Sequence, residues 1–445
     1  MTRITPVGHD LRDRVFQALA CRRHAPAWHV GFSGGLDSTV LLHLLADLAR
    51  HHSLPPLYAI HVHHGLQAAA DGWPAHCRRV CETLGIALQI IHVTVAPGAS
   101  LEAAAREARY AAFSEVLKEG ELLLTGQHRD DQAETVLFRL LRGAGVRGLA
   151  AMPTQRVLGK GGLFRPLLAV SRIELEDYAN RHGLTWIEDP SNTDVHHARN
   201  FLRKQVMPLL QERWPEAGAS LARTAAHLSE AQGLLDELAE QDLSAARAIS
   251  PFVWLGLPVL SLAPLALLSA ARQRNALRFW LAAFSRLPDT DHWVGWETLR
   301  DAGEDARPVW RLVDGELQRS NGHIWWLPDT WRLPDEGAVT WPAPRSGLML
   351  GGNGHVTLVG DIPPGPFEVR YRTGGEVMQV PGRGRRDLKR LLNEQGVPAF
   401  VRGRLPLLYR DGQLLAVANL PGLDGRAHGN WHLRWVAPTS DQCLS

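Results

Sequence analysis

The residues best suited to chemistry fall in two short clusters, Ser33-Gly34-Gly35-Leu36-Asp37-Ser38-Thr39 and Gly126-Gln127-His128-Arg129-Asp130-Asp131-Gln132-Ala133-Glu134. In the first, glycines let the backbone approach an anion with no side chain between, and Ser33, Ser38 and Thr39 add hydroxyl donors. An apolar run at 28–32 precedes it and reads as a strand. The spacing of Val40, Leu41, Leu44, Leu45 and Leu48 after it reads as a helix. Strand, glycine turn and helix start together present free N–H groups to phosphate. The string is neither a Walker A loop nor G-x-G-x-x-G. In the second cluster Asp131 and Glu134 lie one helical turn apart. Such carboxylates hold Mg²⁺ through oxygen ligands or act as a general base, with helix N-capping as the plainer alternative. His61, His63 and His64 do not suggest zinc, because adjacent histidines in a turn rarely converge on one ion.

These clusters need a frame. Residues 57–62, 87–95 and 121–125 read as further strands, and 77–84, 101–117 and 131–141 as helices between and after them. Strands alternating with helices predict a doubly wound parallel sheet, which binds ligands beyond the carboxyl ends of its strands. Four polar clusters fall at those ends: the Ser33 loop, His63-His64-Gly65, Ser100-Leu101-Glu102 and the 126–131 stretch. Ser171-Arg172-Ile173-Glu174 is a capping box opening another helix. Arg199 and Arg203, at i and i+4, share a helix face able to grip phosphate or simply meet solvent.

The rest of the composition is that of an ordinary soluble protein: 45% hydrophobic, 21% charged and a net charge of +2. No apolar run approaches the roughly 18 residues of a membrane span, and the first ten residues lack a signal-peptide core. Cys21, Cys77, Cys81 and Cys443 include no C-x-x-C pair, which argues against a zinc or iron–sulfur framework and for a reducing, cytoplasmic setting. The length fits about three domains at ~150 residues each.

The order S-G-G-x-D-S resembles the pyrophosphate (PP) loop of the ATP pyrophosphatase family, which cleaves ATP between its α and β phosphates. Within that family, His61-Val62-His63-His64-Gly65-Leu66, Arg106-Glu107-Ala108-Arg109-Tyr110, Thr125 to Thr135, Arg139-Leu140-Leu141-Arg142-Gly143 and Arg199-Asn200-Phe201-Leu202-Arg203 resemble the tRNA(Ile)-lysidine synthases. So do Val397-Pro398-Ala399-Phe400 and Arg404 to Tyr409. His63 stands where that family usually has Asn, and Gln127 where it often has His. The resemblance covers about 28–215 and 370–422.

It implies a ligase that joins L-lysine to the wobble cytidine of the CAU-anticodon isoleucine tRNA, so that the tRNA reads AUA. Cytidine O2 attacks the α-phosphate of ATP, and the lysine ε-amine then displaces AMP. The implied cofactors are ATP and Mg²⁺. The implied partners are that tRNA and lysine, with no membrane, and a homodimer is left open. By the same resemblance Asp37, Arg109, His128, Asp131 and Glu134 are catalytic, and Asp37 and Asp131 hold the metal. Ser33, Gly34, Gly35, Leu36, Asp37, Ser38, His61 and Gly126 bind the nucleotide.

A PP-loop domain is expected over 1–215, a small helical domain with a Trp-rich extension over 216–350, and a small α+β domain over 351–440. In the middle, 218–247 and 261–284 read as helices, with Arg272, Arg274 and Arg278 as a basic side. Residues 351–366 read as a glycine- and proline-rich boundary. The last domain carries ten Arg/Lys against three Asp/Glu between 370 and 410. Five of the ten sit at 382–390, read as a helix start, and such a patch binds phosphate in a salt-dependent way. Arg199, Arg203, Arg385, Arg386, Lys389 and Arg390 are the expected tRNA contacts. The rival readings are a tRNA thiolase, an amidotransferase synthetase and a noncatalytic RNA-binding module. Thiolases need reactive cysteines near the loop, and amidotransferases a glutaminase that this sequence does not display.

Overall fold

The structure is a computed structural model that describes residues 10–65, 68–95, 101–190, 194–195, 197–286, 292–303, 306–331 and 337–438. Leu66, Ser100, the Leu101 and Glu102 side chains, Ser191-Asn192 and Cys443 lie outside the described residues. The chain divides into two compact units, Met1–Gly233 and Leu234–Ser445.

The first unit is built on a six-stranded sheet. Its strands are β1 (Trp28–Gly31), β2 (Leu57–His63), β3 (Ala87–His92), β4 (Leu122–Leu124), β5 (Gln155–Leu158) and β6 (Gly161–Phe164). Their order is β3-β2-β1-β4-β6-β5, parallel throughout except for the β5–β6 hairpin. The expected doubly wound sheet is present. The hairpin was not anticipated, because its Gly159, Gly161 and Gly162 break the apolar run by which a strand is read. Strand order reverses between β1 and β4, so the loops leaving these two strands diverge and leave a crevice.

The helices are α1 (Leu11–Ala18), α2 (Leu36–His51), α3 (Trp73–Leu84), α4 (Leu101–Val116), α5 (Arg129–Leu140), α6 (Val146–Leu149), α7 (Arg172–Arg181), α8 (Ala198–Phe201), α9 (Met207–Arg213) and α10 (Ala217–Ala246). Val40, Leu41, Leu44, Leu45 and Leu48 of α2 are fully buried in one core with Trp28, Val30 and Phe32. Each such side chain contributes roughly 1.5–3 kcal/mol of transfer free energy, which fixes α2 against the sheet. Between α8 and α9 the backbone makes a π turn, Leu202–Val206. Pro208 has no N–H, so the Lys204 carbonyl loses its i+4 partner and the helix is locally rewound. Arg199 and Arg203 therefore do not stand on one regular helix face, as their spacing had suggested.

The second unit is richer in strands. A four-stranded sheet, ordered Val259–Ser261, His323–Pro328, Gly315–Ser320 and Val309–Arg311, packs on helices Ala270–Leu281 and Trp293–Asp301. The expected 261–284 helix thus starts on a strand. Its basic side is partly engaged: Arg272 pairs with Asp242, and Arg278 lies over the Trp293 ring at 5.0 Å. A six-stranded and a three-stranded sheet follow. Residues 351–366, read as a boundary, contain the strand His355–Gly360, hydrogen-bonded along Trp431–Val436. Tryptophans, abundant after residue 185, are core residues here: Trp296, Trp325, Trp341 and Trp435 are all fully buried.

Candidate active site

A cavity of about 950 Å³ opens where the sheet order reverses. It is lined by the β1–α2 loop, the end of β2, one face of α4, the β4–α5 loop, Arg172, the 186–190 loop and Arg203-Lys204.

The loop leaving β1 is shaped by glycine. Gly34 has φ +86, and a Cβ there would lie 2.7 Å from the Ile187 side chain. Gly35 caps α2 in an extended conformation with no side-chain cap, so the first N–H groups of a 16-residue helix have no side chain bonded to them at the cap. The Ser33 hydroxyl accepts from Gly35 N at 3.3 Å and lies 3.1 Å from the Ser38 hydroxyl, which itself bonds the Gly35 carbonyl. Thr39 donates to the same carbonyl at 2.9 Å. The 186–190 loop crosses above, with Ile187 N–H donating to Gly34 O at 2.8 Å. From the other side Gly126 presses on the head of α2. A Cβ there would sit 3.0 Å from the Asp37 carbonyl carbon and oxygen.

Asp37 lies between acid and base neighbours. Burial raises its pKa and Asp131 adds to this, while His128, Arg172 and Arg203 oppose. Its Oδ1 is buried without a hydrogen-bond partner. His128 Nε2 faces Asp37 Oδ1 at 3.6 Å and Asp131 Oδ2 at 3.5 Å. His128 also caps α5: its Nδ1 accepts from Asp130 N–H at 3.2 Å, and Asp131 Oδ2 accepts from His128 N–H at 3.1 Å. The ring is 1% exposed. Burial lowers its pKa, but the Asp130, Asp131 and Asp37 carboxylates outweigh that and hold it above the usual value. Asp130 does not face the cavity. Its Oδ2 accepts from Arg172 N at 2.9 Å at the start of α7. Burial opposes its charge, yet His128 and that N–H bring its pKa down to about 2.

Arg203 joins α5 to the π turn. Its Nε donates to Glu134 Oε1 at 2.6 Å, and its Nη2 donates to Glu134 Oε2 at 3.0 Å and Asp131 Oδ1 at 2.8 Å. Glu134 is buried at 4% exposure, and burial raises its pKa although Arg203 pulls it down. Arg199 reaches Thr135 Oγ1 at 3.5 Å. His61 Nδ1 donates to Phe32 O at 2.9 Å. Burial lowers its pKa, so the ring is neutral and Nε2, which has no partner, is an acceptor. Arg109 is held by His64 on the cavity wall.

Of the residues expected from sequence, Ser33, Gly35, Leu36, Asp37, Ser38, His61, Arg109, Gly126, Asp131 and Arg203 all line this one cavity. His128 and Glu134 are not among its lining residues: each stands behind, bracing Asp37 and Asp131 or Arg203. Arg203 had been read as an RNA contact; it lines the cavity and is tied to Asp131, also on the wall, and to Glu134 behind it. Arg385 and Arg386 lie on the strand Gly384–Asp387 rather than at a helix start, and Lys389 and Arg390 on the helix Leu388–Glu394. Arg390 pairs with Glu394 at 3.2 Å. Sequence reasoning did not single out His64, Arg172 and the 186–189 loop as site residues. The capping box at Ser171 was the available signal for Arg172, since it brings a helix start to the cavity.

A parallel sheet that reverses beside an S-G-G-x-D-S turn, with uncapped helix N–H groups and no Walker lysine, defines a PP-loop ATP-binding protein. The family model for the PP-loop domain matches residues 9–210, that for the TilS substrate binding domain 260–325, and that for the TilS substrate C-terminal domain 367–435. The chain is 68% identical over 445 residues to the tRNA(Ile)-lysidine synthase of Pseudomonas syringae pv. tomato, covering all of both chains. It is 62% identical over 438 residues to that of Pseudomonas aeruginosa, covering 98% and 99%. It is 40% identical over 406 residues to that of Coxiella burnetii, covering 87% of each. The chain belongs to the tRNA(Ile)-lysidine synthase family.

Proposed function

We propose that this chain uses ATP to join L-lysine to the wobble cytidine of the CAU-anticodon isoleucine tRNA, forming lysidine. The observation that carries this reading is the single cavity in which a phosphate loop, the Arg109 guanidinium and the Asp131–Arg203 pair all meet. The loop and the α2 N-terminus receive the β- and γ-phosphates through N–H and hydroxyl donors. Arg109 holds the α-phosphate through parallel N–H groups as cytidine O2 attacks and pyrophosphate leaves. His61 Nε2 offers an acceptor to the nucleotide.

Lysine brings two ammonium groups and a carboxylate. Asp131 suits an ammonium and Arg203 a carboxylate, with Glu134 setting the guanidinium. The ε-amine, with a pKa of about 10.4 in water, must lose a proton before it attacks C2 and displaces AMP. Asp131 is the acceptor in the cavity, because His128 Nδ1 is committed to capping α5 and its Nε2 faces two carboxylates. Mg²⁺ suits Asp37, whose Oδ1 is buried and unpartnered, together with Asp131: that ion takes one or two carboxylates, substrate phosphates and water. When bound, it would offset charge on the leaving pyrophosphate.

Adenylation is assigned to 1–215 and tRNA holding to 216–350 and 351–440. Among the described residues no helix is long and apolar enough to cross a membrane, and a cytoplasmic enzyme is expected. Thiolation is disfavoured, since burial pushes the Cys77 thiol up to about 12 and that of Cys81 up to about 11, far from a reactive thiolate. The test is transfer of labelled lysine to the CAU-anticodon isoleucine tRNA with ATP. Parental protein should incorporate label and release pyrophosphate, and Asp37→Ala should do neither while still binding tRNA. Incorporation by Asp37→Ala at the parental rate would overturn the assignment.

A further inference from the structure

We infer that His64 is a positioning residue that fixes Arg109 against the α-phosphate while leaving its positive charge unquenched. This rests on the assignment of Arg109 to that phosphate. His64 follows β2 and Arg109 lies on α4, 45 residues further along, and both line the cavity. Arg109 Nε and Nη2 both donate to the same atom, His64 Nε2, at 3.2 and 3.0 Å. Two donors converging on one acceptor fix the plane and direction of the guanidinium. Its three remaining N–H groups take no protein partner among the described residues.

The nature of the acceptor matters as much as its place. Nε2 accepts two hydrogen bonds, so the ring proton is on Nδ1 and His64 is neutral. Burial, and then the Arg109 charge, bring its pKa down to about 4, so it stays neutral near pH 7. Among the described side chains no carboxylate lies within ion-pair distance of Arg109. Burial disfavours its charge; Tyr110 and, more weakly, Asp189 are the acids it feels, opposed by Arg106. The contrast with Arg203 is direct, for that guanidinium, also on the cavity wall, is bound by two carboxylates, Asp131 and the buried Glu134. A carboxylate partner would orient Arg109 equally well but cancel much of the field it directs at a developing phosphorane. A neutral imidazole supplies the orientation alone.

Three substitutions at one position separate these effects, read as the single-turnover rate of tRNA-dependent pyrophosphate release at saturating ATP. His64→Gln places a neutral amide oxygen at similar reach and should stay within about threefold of parental. His64→Ala frees the guanidinium and should slow the step about 10²-fold, the scale of an ångström of misplacement. His64→Glu should slow it by about 10²-fold too, although it binds Arg109 more firmly. Thermal melting and the KM for ATP should change little across the three, whereas a merely structural role would move melting and spare the rate. If His64→Glu is as fast as His64→Gln, the charge argument fails. If His64→Ala runs at the parental rate while Arg109→Lys is slow, the inference fails and the Arg109 assignment stands. If Arg109→Lys also runs at the parental rate, the assignment beneath it fails.

Discussion

Replacing Glu134 with alanine tests the division of labour at the Arg203 cluster. Glu134 is 4% exposed and receives two hydrogen bonds from Arg203, at 2.6 and 3.0 Å. Removing one partner of a buried ion pair costs about 3–5 kcal/mol when the survivor is left unpaired. Here the survivor keeps Asp131 at 2.8 Å, and its side chain is 32% exposed. Both features reduce the cost, to about 2 kcal/mol. In a unit of this size each kcal/mol moves the melting temperature by about 2–4 °C, so calorimetry should show the first unit melting about 4–8 °C lower. Arg203 would also swing toward Asp131, so the KM for lysine should rise about tenfold, the equivalent of ~1.4 kcal/mol. Pyrophosphate release before lysine addition should persist. A melting shift below about 1 °C would refute the packing argument. A full melting loss with an unchanged lysine KM would remove Arg203 from lysine recognition.

Three further outcomes are expected. Gly126→Ala should weaken ATP binding by about tenfold or more, because its Cβ would meet the Asp37 backbone at 3.0 Å, and fluorescent-nucleotide titration reads this directly. Asp130 has a folded pKa of about 2, below its unfolded value, so its stabilisation of about 2 kcal/mol is present above pH 4 and lost as pH falls toward 2. Asp130→Asn should therefore melt lower at pH 7 but lose less stability than parental protein on acidification, as acid titration followed by circular dichroism would show. Replacing Arg385, Arg386, Lys389 and Arg390 together should weaken tRNA binding and reduce its log–log salt slope by about 2 to 3 rather than 4, since Arg390 already shares Glu394. Affinity measured across salt concentrations decides this, and ATP affinity should not move.

What the sequence alone determined is what local chemistry determines. The glycine turn, the helix after it, the capping box at Ser171, and the alternation of strand and helix depend on residues a few positions apart. Their conformations follow from backbone sterics and hydrophobic period. The parallel sheet followed in turn, because buried apolar strands joined by helices have few other packings. Tertiary structure alone decided which charges meet. Arg203 finds Glu134 across 69 residues and Asp131 across 72, and Arg109 finds His64 across 45. No spacing rule in the chain encodes those pairs. They arise because loops from β1, β2 and β4 and the π turn at 202–206 converge on one crevice. The same convergence sorted the acids and bases by burial: Asp37 and Asp131 face the cavity, while His128 and Glu134, from the same short stretch as Asp131, stand behind them. Burial is a property of packing, and it sets both the reach of a side chain and the cost of its charge.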